Sequence, residues 1–296
     1  MQQRYGKGVN ETAARRRPGP ARVLTVDRTE RISPHLVRVH LGGDDFAAFL
    51  GEADPERIAK TDKYVKLLVA KPELGLEPPY DLEELRQRLP LEDLPVRRTY
   101  TIRSIDAATG TFAIDFVVHG DEGIAGPWAA AAQPGDLLTF SGPGGQFAPS
   151  IDPHLPRLYF ADESALPAVA AALEETPASA HGLVLIEVGS AADEIELRRP
   201  VGVEVRWLHR ERPDGTVASH GSLLVEAARA LAAPEIVPEV FAHGERGAMQ
   251  QLRRLLHNEW GIERRALSLS AYWAVGRAED GFQAEKREPV GQIFPE

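Results

Sequence analysis

The 296-residue sequence predicts two units in series, a six-stranded antiparallel β-barrel followed by an open parallel α/β sheet. Three observations predict this. Between Ala21 and Gly145, short apolar–polar alternations follow one another across brief turns, with no long helical stretch. After Gly145 the rhythm changes to apolar runs separated by helical segments, as right-handed β–α–β crossovers require. The chain is also too long for one small domain, so two is the natural expectation.

Taken in order, residues 1–20 carry Arg4, Lys7, Arg15, Arg16 and Arg17 with few apolar side chains, and read as a flexible basic tail. Barrel strands are expected at 22–27, 36–41, 63–70, 98–103, 111–118 and 136–141, where period 2 puts alternate side chains on one face. Residues 71–95, with Pro72, Pro78, Pro79 and acidic neighbours, break this pattern. They read as a surface insertion with a short helix near 82–88. Gly126-Pro127 opens another helix, since proline suits the first helical position and Ala129–Ala132 propagates it. The prolines at 149, 153 and 156 place the boundary there, giving units over 21–150 and 151–296. In the second unit, strands are expected at 157–161, 183–188, 203–208, 239–242 and 267–273, with helices at 167–175, 222–232 and 246–260. Residues 183–188 read as an apolar run, as a buried parallel strand should.

Cysteine is absent, which excludes disulfides, thiolate metal sites, thiol nucleophiles and Cys-ligated iron–sulfur clusters. A reducing cytoplasm fits. The net charge of −10, from 34 basic and 44 acidic residues, argues against general nucleic-acid binding. No run approaches the ~20 apolar residues that cross a membrane, and no apolar leader is visible after Met1, so neither membrane insertion nor secretion is expected.

The run Arg97-Arg98-Thr99-Tyr100-Thr101-Ile102-Arg103 carries the most chemistry. As a strand it puts Arg98, Tyr100 and Ile102 on one face and Thr99, Thr101 and Arg103 on the other. A guanidinium can grip a pyrophosphate, a phenol ring can lie flat on a ring system, and Thr101 can bond a ring nitrogen. A flavin dinucleotide needs all three. An edge strand with a solvated Arg and a packed Tyr is the plain alternative.

This run resembles the flavin motif of the ferredoxin-reductase superfamily. Its longer form, Arg98-Thr99-Tyr100-Thr101-Ile102-Arg103, resembles the siderophore-interacting protein family within it. Other segments extend the resemblance. Asp115, Val117 and His119 share a face one hairpin later and match a run that lines the flavin. Gly126-Pro127-Trp128 opens the helix that meets the pyrophosphate, although here Trp128 follows Pro127 directly. The Ser141-Gly142-Pro143-Gly144-Gly145 loop resembles the family's barrel exit. Asp162-Glu163-Ser164-Ala165-Leu166-Pro167 resembles the Asp-Glu-Thr-Ala-Leu-Pro signature facing the nicotinamide, and it stands at a strand's carboxyl end, where open sheets bind ligands. Asp162 or Ser164 could equally cap the helix. Gly244-Glu245 resembles a second nucleotide-side loop. Tyr272-Trp273 resembles the family's terminal motif, with Ala274 and Val275 where a base often stands.

The resemblance implies a cytoplasmic FAD enzyme that takes a hydride from NADPH or NADH and reduces iron(III) held in a siderophore. Lys66, Arg277 and Lys286 are the implied contacts to an anionic ferric siderophore, with solvated surface charge as the alternative. Two other readings stay open: the same chemistry serving a ferredoxin-type partner, and a siderophore carrier that keeps its flavin as structure. The choice between NADH and NADPH also stays open. Asp193 and Glu194 would repel a 2′-phosphate, whereas Arg198 and Arg199 could attract it.

Overall fold

The computed structural model of the chain describes residues 21–120 and 123–294. The basic tail expected over 1–20 lies outside them. Six strands form a closed barrel: β1 (Arg22–Ser33), β2 (Leu36–Gly42), β3 (Tyr64–Val69), β4 (Val96–Asp106), β5 (Thr111–Val117) and β6 (Leu137–Gly144). Their order is β1-β2-β5-β4-β3-β6, antiparallel throughout, and β1 pairing with β6 closes the ring. Alternate residues such as Val37, Val39 and Leu41, or Val65, Leu67 and Val69, point inward and are fully buried.

Two helices between β2 and β3 were not expected. They are α1 (Asp45–Glu52) and α2 (Pro55–Ile58). The first turns Phe46 and Phe49 into one end of the barrel, and Phe49 meets Phe112 and Phe140 at centroid distances of 5.6 and 5.3 Å. Each such ring contributes roughly 1.5–3 kcal/mol of burial energy. Only two apolar anchors in eight residues do not separate a helix from a loop by periodicity. The insertion does contain its helix, α3 (Leu82–Arg88), capped by Asp81, whose carboxylate accepts from the Glu83 and Glu84 amides. Next comes α4 (Ala125–Ala131), which begins two residues before Pro127.

The second unit runs β7 (Arg157–Ala161), α5 (Leu166–Glu175), β8 (His181–Val188), β9 (Gly202–His209), α6 (Ser222–Arg229), β10 (Glu239–Glu245), α7 (Arg246–Arg253), β11 (Leu267–Trp273) and α8 (Glu279–Glu285). A π-helical stretch, Arg254–Glu259, continues α7, so the expected helix over 246–260 is present but not uniformly α. The sheet order is β11-β10-β7-β8-β9, all parallel. The chain leaves β7 toward β9 and returns to β10, which puts a topological switch point between β7 and β10, where a crevice opens at the carboxyl ends.

The two units are tied directly. Arg103 on β4 forms a two-pronged ion pair with Glu174 on α5, one prong at 3.0 Å. His35 Nδ1 lies 2.8 Å from Asp193 Oδ1. Phe147, on the segment leaving the barrel, packs on Phe241 and Tyr159 of the second core.

Candidate cofactor and substrate cleft

These ties bring one side of the barrel against the carboxyl ends of the sheet and leave a cleft of about 680 Å³ between them. The barrel contributes Lys66, Arg98, Tyr100, Thr101, Asp115, Val117 and His119; the sheet contributes Glu163, Ser164, His220, His243, Tyr272 and Trp273. Thirteen side chains from distant parts of the chain thus meet at one place because the barrel is docked on the second unit, β4 against α5.

Tyr100 is braced from behind. Its ring lies 4.4 Å from Phe116, which lies 5.6 Å from Trp128, and burial raises its phenol pKa further above the ordinary tyrosine range. Arg98 is half-buried. It donates to the Arg97 carbonyl at 2.9 Å, Asp280 stands 3.9 Å away, and Glu279 is a further charged neighbour. The Thr101 side chain is buried beside the Tyr272 phenol. Tyr272 in turn lies 3.1 Å from His243 Nδ1, whose Nε2 lies 3.0 Å from Ser268 Oγ. Burial, with the Lys286 charge, pushes His243 down to about 3, so it is neutral at any ordinary pH. A hydrogen-bonded chain therefore joins β11 and β10 and ends beside the flavin-type strand of the barrel.

Glu163 faces the cleft and is held by Arg210, one contact at 3.0 Å. Arg210 also reaches Glu187 at 3.5 Å. Glu187 sits in the run expected to be purely apolar, yet it is fully buried and accepts from the Gly221 and Leu224 amides at the start of α6. A buried carboxylate is tolerated there because these donors and Arg210 satisfy it. His220, missed in the sequence, stands edge-on to Trp273 at 5.0 Å. Tyr64, also missed, occupies the space a Cβ at residue 144 would need, 2.2 Å from its ring, so Gly144 is required by close approach.

Several expected contacts are spent elsewhere. Asp162 is buried outside the cleft lining. Its Oδ1 accepts from the Ser164 and Ala165 amides at 2.9 and 3.3 Å, and its Oδ2 from the Glu245 amide and the Trp273 indole, both at 2.8 Å. It thus clamps the ends of β7, β10 and β11, and burial beside Glu163 raises it to about 6. Gly244 sits outside the cleft because that clamp needs it: a Cβ would lie 2.6 Å from Asp162 Oδ2. Glu245 caps α7, accepting from the Ala248 amide at 2.9 Å. Arg103 is taken by Glu174, and Arg277 by Glu285 at 2.6 Å. Asp115 lines the cleft while forked to Arg38 at 2.6 and 2.8 Å. Gly126, Pro127 and Trp128 stand outside the lining, with Trp128 backing Phe116. Lys66 and Lys286 do face the cleft. Asp193 is held by His35 and Ser190, and Glu194 by His209 at 2.7 Å.

With this geometry in place, likeness to known proteins decides the family. The description "Siderophore-interacting FAD-binding domain" matches residues 25–147, and "Siderophore-interacting protein" matches residues 156–276. The chain belongs to the siderophore-interacting protein family. An uncharacterized Mycobacterium tuberculosis protein is 40% identical over 281 residues, spanning 91% of this chain and 95% of its own. The ferric vibriobactin reductase of Vibrio cholerae is 31% identical, spanning 92% of this chain and 96% of its own. A siderophore utilization protein from T. fusca, known by its crystal structure, superposes with a TM-score of 0.72 at 37% identity, covering 88% of this chain and 94% of that one. Barrel and sheet together form the ferredoxin-reductase-like fold of this family.

The cleft fits FAD on its own terms. It offers a guanidinium with no carboxylate within hydrogen-bonding distance among the described residues, a phenol ring braced on one face and open to the cleft, and a buried hydroxyl beside it.

Proposed function

We infer that the protein is an FAD-dependent reductase of ferric siderophores, acting in the cytoplasm with electrons from NADPH or NADH. One observation carries the reading: the Arg98–Tyr100–Thr101 strand of the barrel faces Glu163, Ser164 and Trp273 at the switch point of the sheet across a single cleft. A flavin held on the first set would be reached by a nicotinamide held on the second. Residues 21–150 are then the flavin unit and 151–296 the nicotinamide unit, with Ser164 and Glu163 at the nicotinamide side. The lack of cysteine suits a reducing compartment.

FAD, when bound, supplies hydride acceptance and the release of electrons one at a time to iron(III). The chain's own residues bind and orient. Arg98 would grip the pyrophosphate, Tyr100 would present a braced ring to the flavin, and Thr101, beside Tyr272 and the neutral His243, would donate toward the ring system. Glu163, pinned by Arg210, keeps its carboxylate in place at the sheet side. Lys66 and Lys286 meet the ferric chelate, which loosens its grip once the iron is iron(II). Iron enters this reading as the cargo of the siderophore.

Anaerobic spectroscopy tests this. The purified protein should be yellow, NADPH or NADH should bleach it, and a ferric siderophore should restore the colour. A reduced flavin that no ferric siderophore reoxidises would end the reading. If neither nucleotide bleaches it, a ferredoxin-type donor takes their place.

A further inference from the structure

The last helix, α8, was not expected from the sequence, and it forms one wall of the cleft. Glu279, Gln283 and Lys286 all line it, and their i, i+4, i+7 spacing puts them on one helical face. The face is fixed. Gln283 Nε2 donates to Glu279 Oε1 at 2.8 Å. Phe282, 1% exposed, anchors the helix on Ala271 and Ala274, and Lys286 lies 4.5 Å over its ring. Glu285 is clamped by Arg246 and, at 2.6 Å, by Arg277. Asp280 reaches toward Arg98 on the barrel side.

We propose that this face of α8 is a charge filter that selects uncharged ferric siderophores over polyanionic ones, with Glu279 as its deciding residue. The proposal rests on the reductase reading. Besides Arg98, three cations, Arg57, Lys66 and Lys286, line the cleft, and α8 sets the Glu279 carboxylate among them; Asp280, outside the lining, reaches toward Arg98. Glu279 is half-buried, with Arg98 and Lys286 as its charged neighbours, and Lys66 faces Lys286. A site built for a trianionic tris-catecholate complex gains nothing from a half-buried carboxylate placed among its cations. An uncharged tris-hydroxamate complex, whose surface carries carbonyl acceptors and amide donors, meets a matched set of ammonium, amide and carboxylate groups.

Gallium(III) complexes test binding apart from reduction, since gallium(III) keeps the shape and charge of the iron complex but does not take the electron. Binding to the FAD-loaded protein is followed by flavin fluorescence, and reoxidation of the reduced flavin is followed with the iron(III) complexes. The wild type should bind the gallium tris-hydroxamate about tenfold or more tighter than the gallium tris-catecholate, and Glu279→Gln should narrow that ratio by about tenfold. Lys66→Gln should widen it. A wild type that prefers the tris-catecholate, or a ratio that Glu279→Gln leaves unmoved, overturns the filter; if both iron complexes still reoxidise the flavin, the reductase reading stands. If neither complex binds and neither reoxidises the flavin, the reductase reading falls and takes the filter with it.

Discussion

At the scale of single residues, charge and burial decide most outcomes in the cleft. Among the described residues no carboxylate lies within hydrogen-bonding distance of Arg98, so its fork is available to a pyrophosphate. Charge-assisted bonds of this kind are worth about 1.5–3 kcal/mol, so Arg98→Ala should weaken FAD binding about ten- to hundredfold, measured by cofactor retention and fluorescence titration. His243 makes a different prediction. Its folded-state pKa is pushed down to about 3 by burial, then by Lys286. Between that value and the ordinary histidine value near 6.5, the unfolded chain binds the extra proton. Stability is therefore complete above about pH 6.5 and is lost as pH falls below it. Denaturant melts at pH 7.5 and pH 5 should show the wild type losing about 2 kcal/mol more than His243→Gln, which carries no titrating ring. Asp162 has the opposite sign: its pKa is raised to about 6, so the stability it contributes is largest in acid and declines as pH rises to that value.

At the scale of elements, strand ends matter more than strand middles. The carboxyl ends of β7, β10 and β11 converge on Asp162, and Gly244 leaves room for its carboxylate. Gly244→Ala should destabilise the protein by about 1–3 kcal/mol in denaturant melts, because the new methyl meets a group with five donors on it and nowhere to move. Helix α8 hangs on Phe282. Phe282→Ala should detach it at a local cost of roughly 3 kcal/mol, leaving FAD retention intact while the ferric-siderophore affinity falls. The barrel strands, the central strands of the sheet and α3 could be read from the sequence because their periodicity or capping is local. Helices α1 and α8 could not. Each is short and anchored by one or two rings, Phe46 and Phe49 in one and Phe282 in the other, and such a pattern looks like a loop until its partner surface is known.

At the scale of the molecule, the cleft exists because two units are held in one alignment. Arg103–Glu174 and His35–Asp193 are its struts. Glu174 is a third exposed, so solvent weakens the pair. A double-mutant cycle on Arg103→Ala and Glu174→Ala should give a coupling of about 1 kcal/mol. The same variants should slow bleaching of the flavin by the nucleotide more than they reduce FAD retention, because they loosen the docking of the units and leave the barrel intact.

Residue order by itself determined the barrel, the parallel sheet that follows it, and a motif that resembles a flavin grip, because alternation, turn residues and a four-residue signature act over a few positions of chain. It also identified Glu163, Ser164, Lys66 and Lys286, which do face the cleft. Only the tertiary structure decided that Asp162, Arg103, Glu245 and Arg277 serve as struts and caps, and that His220, His243, Tyr64 and α8 complete the cleft. The physical reason is that a charged or polar side chain takes its role from whichever partner arrives first at hydrogen-bonding distance. For these residues that partner lies on another strand, another helix or the other unit.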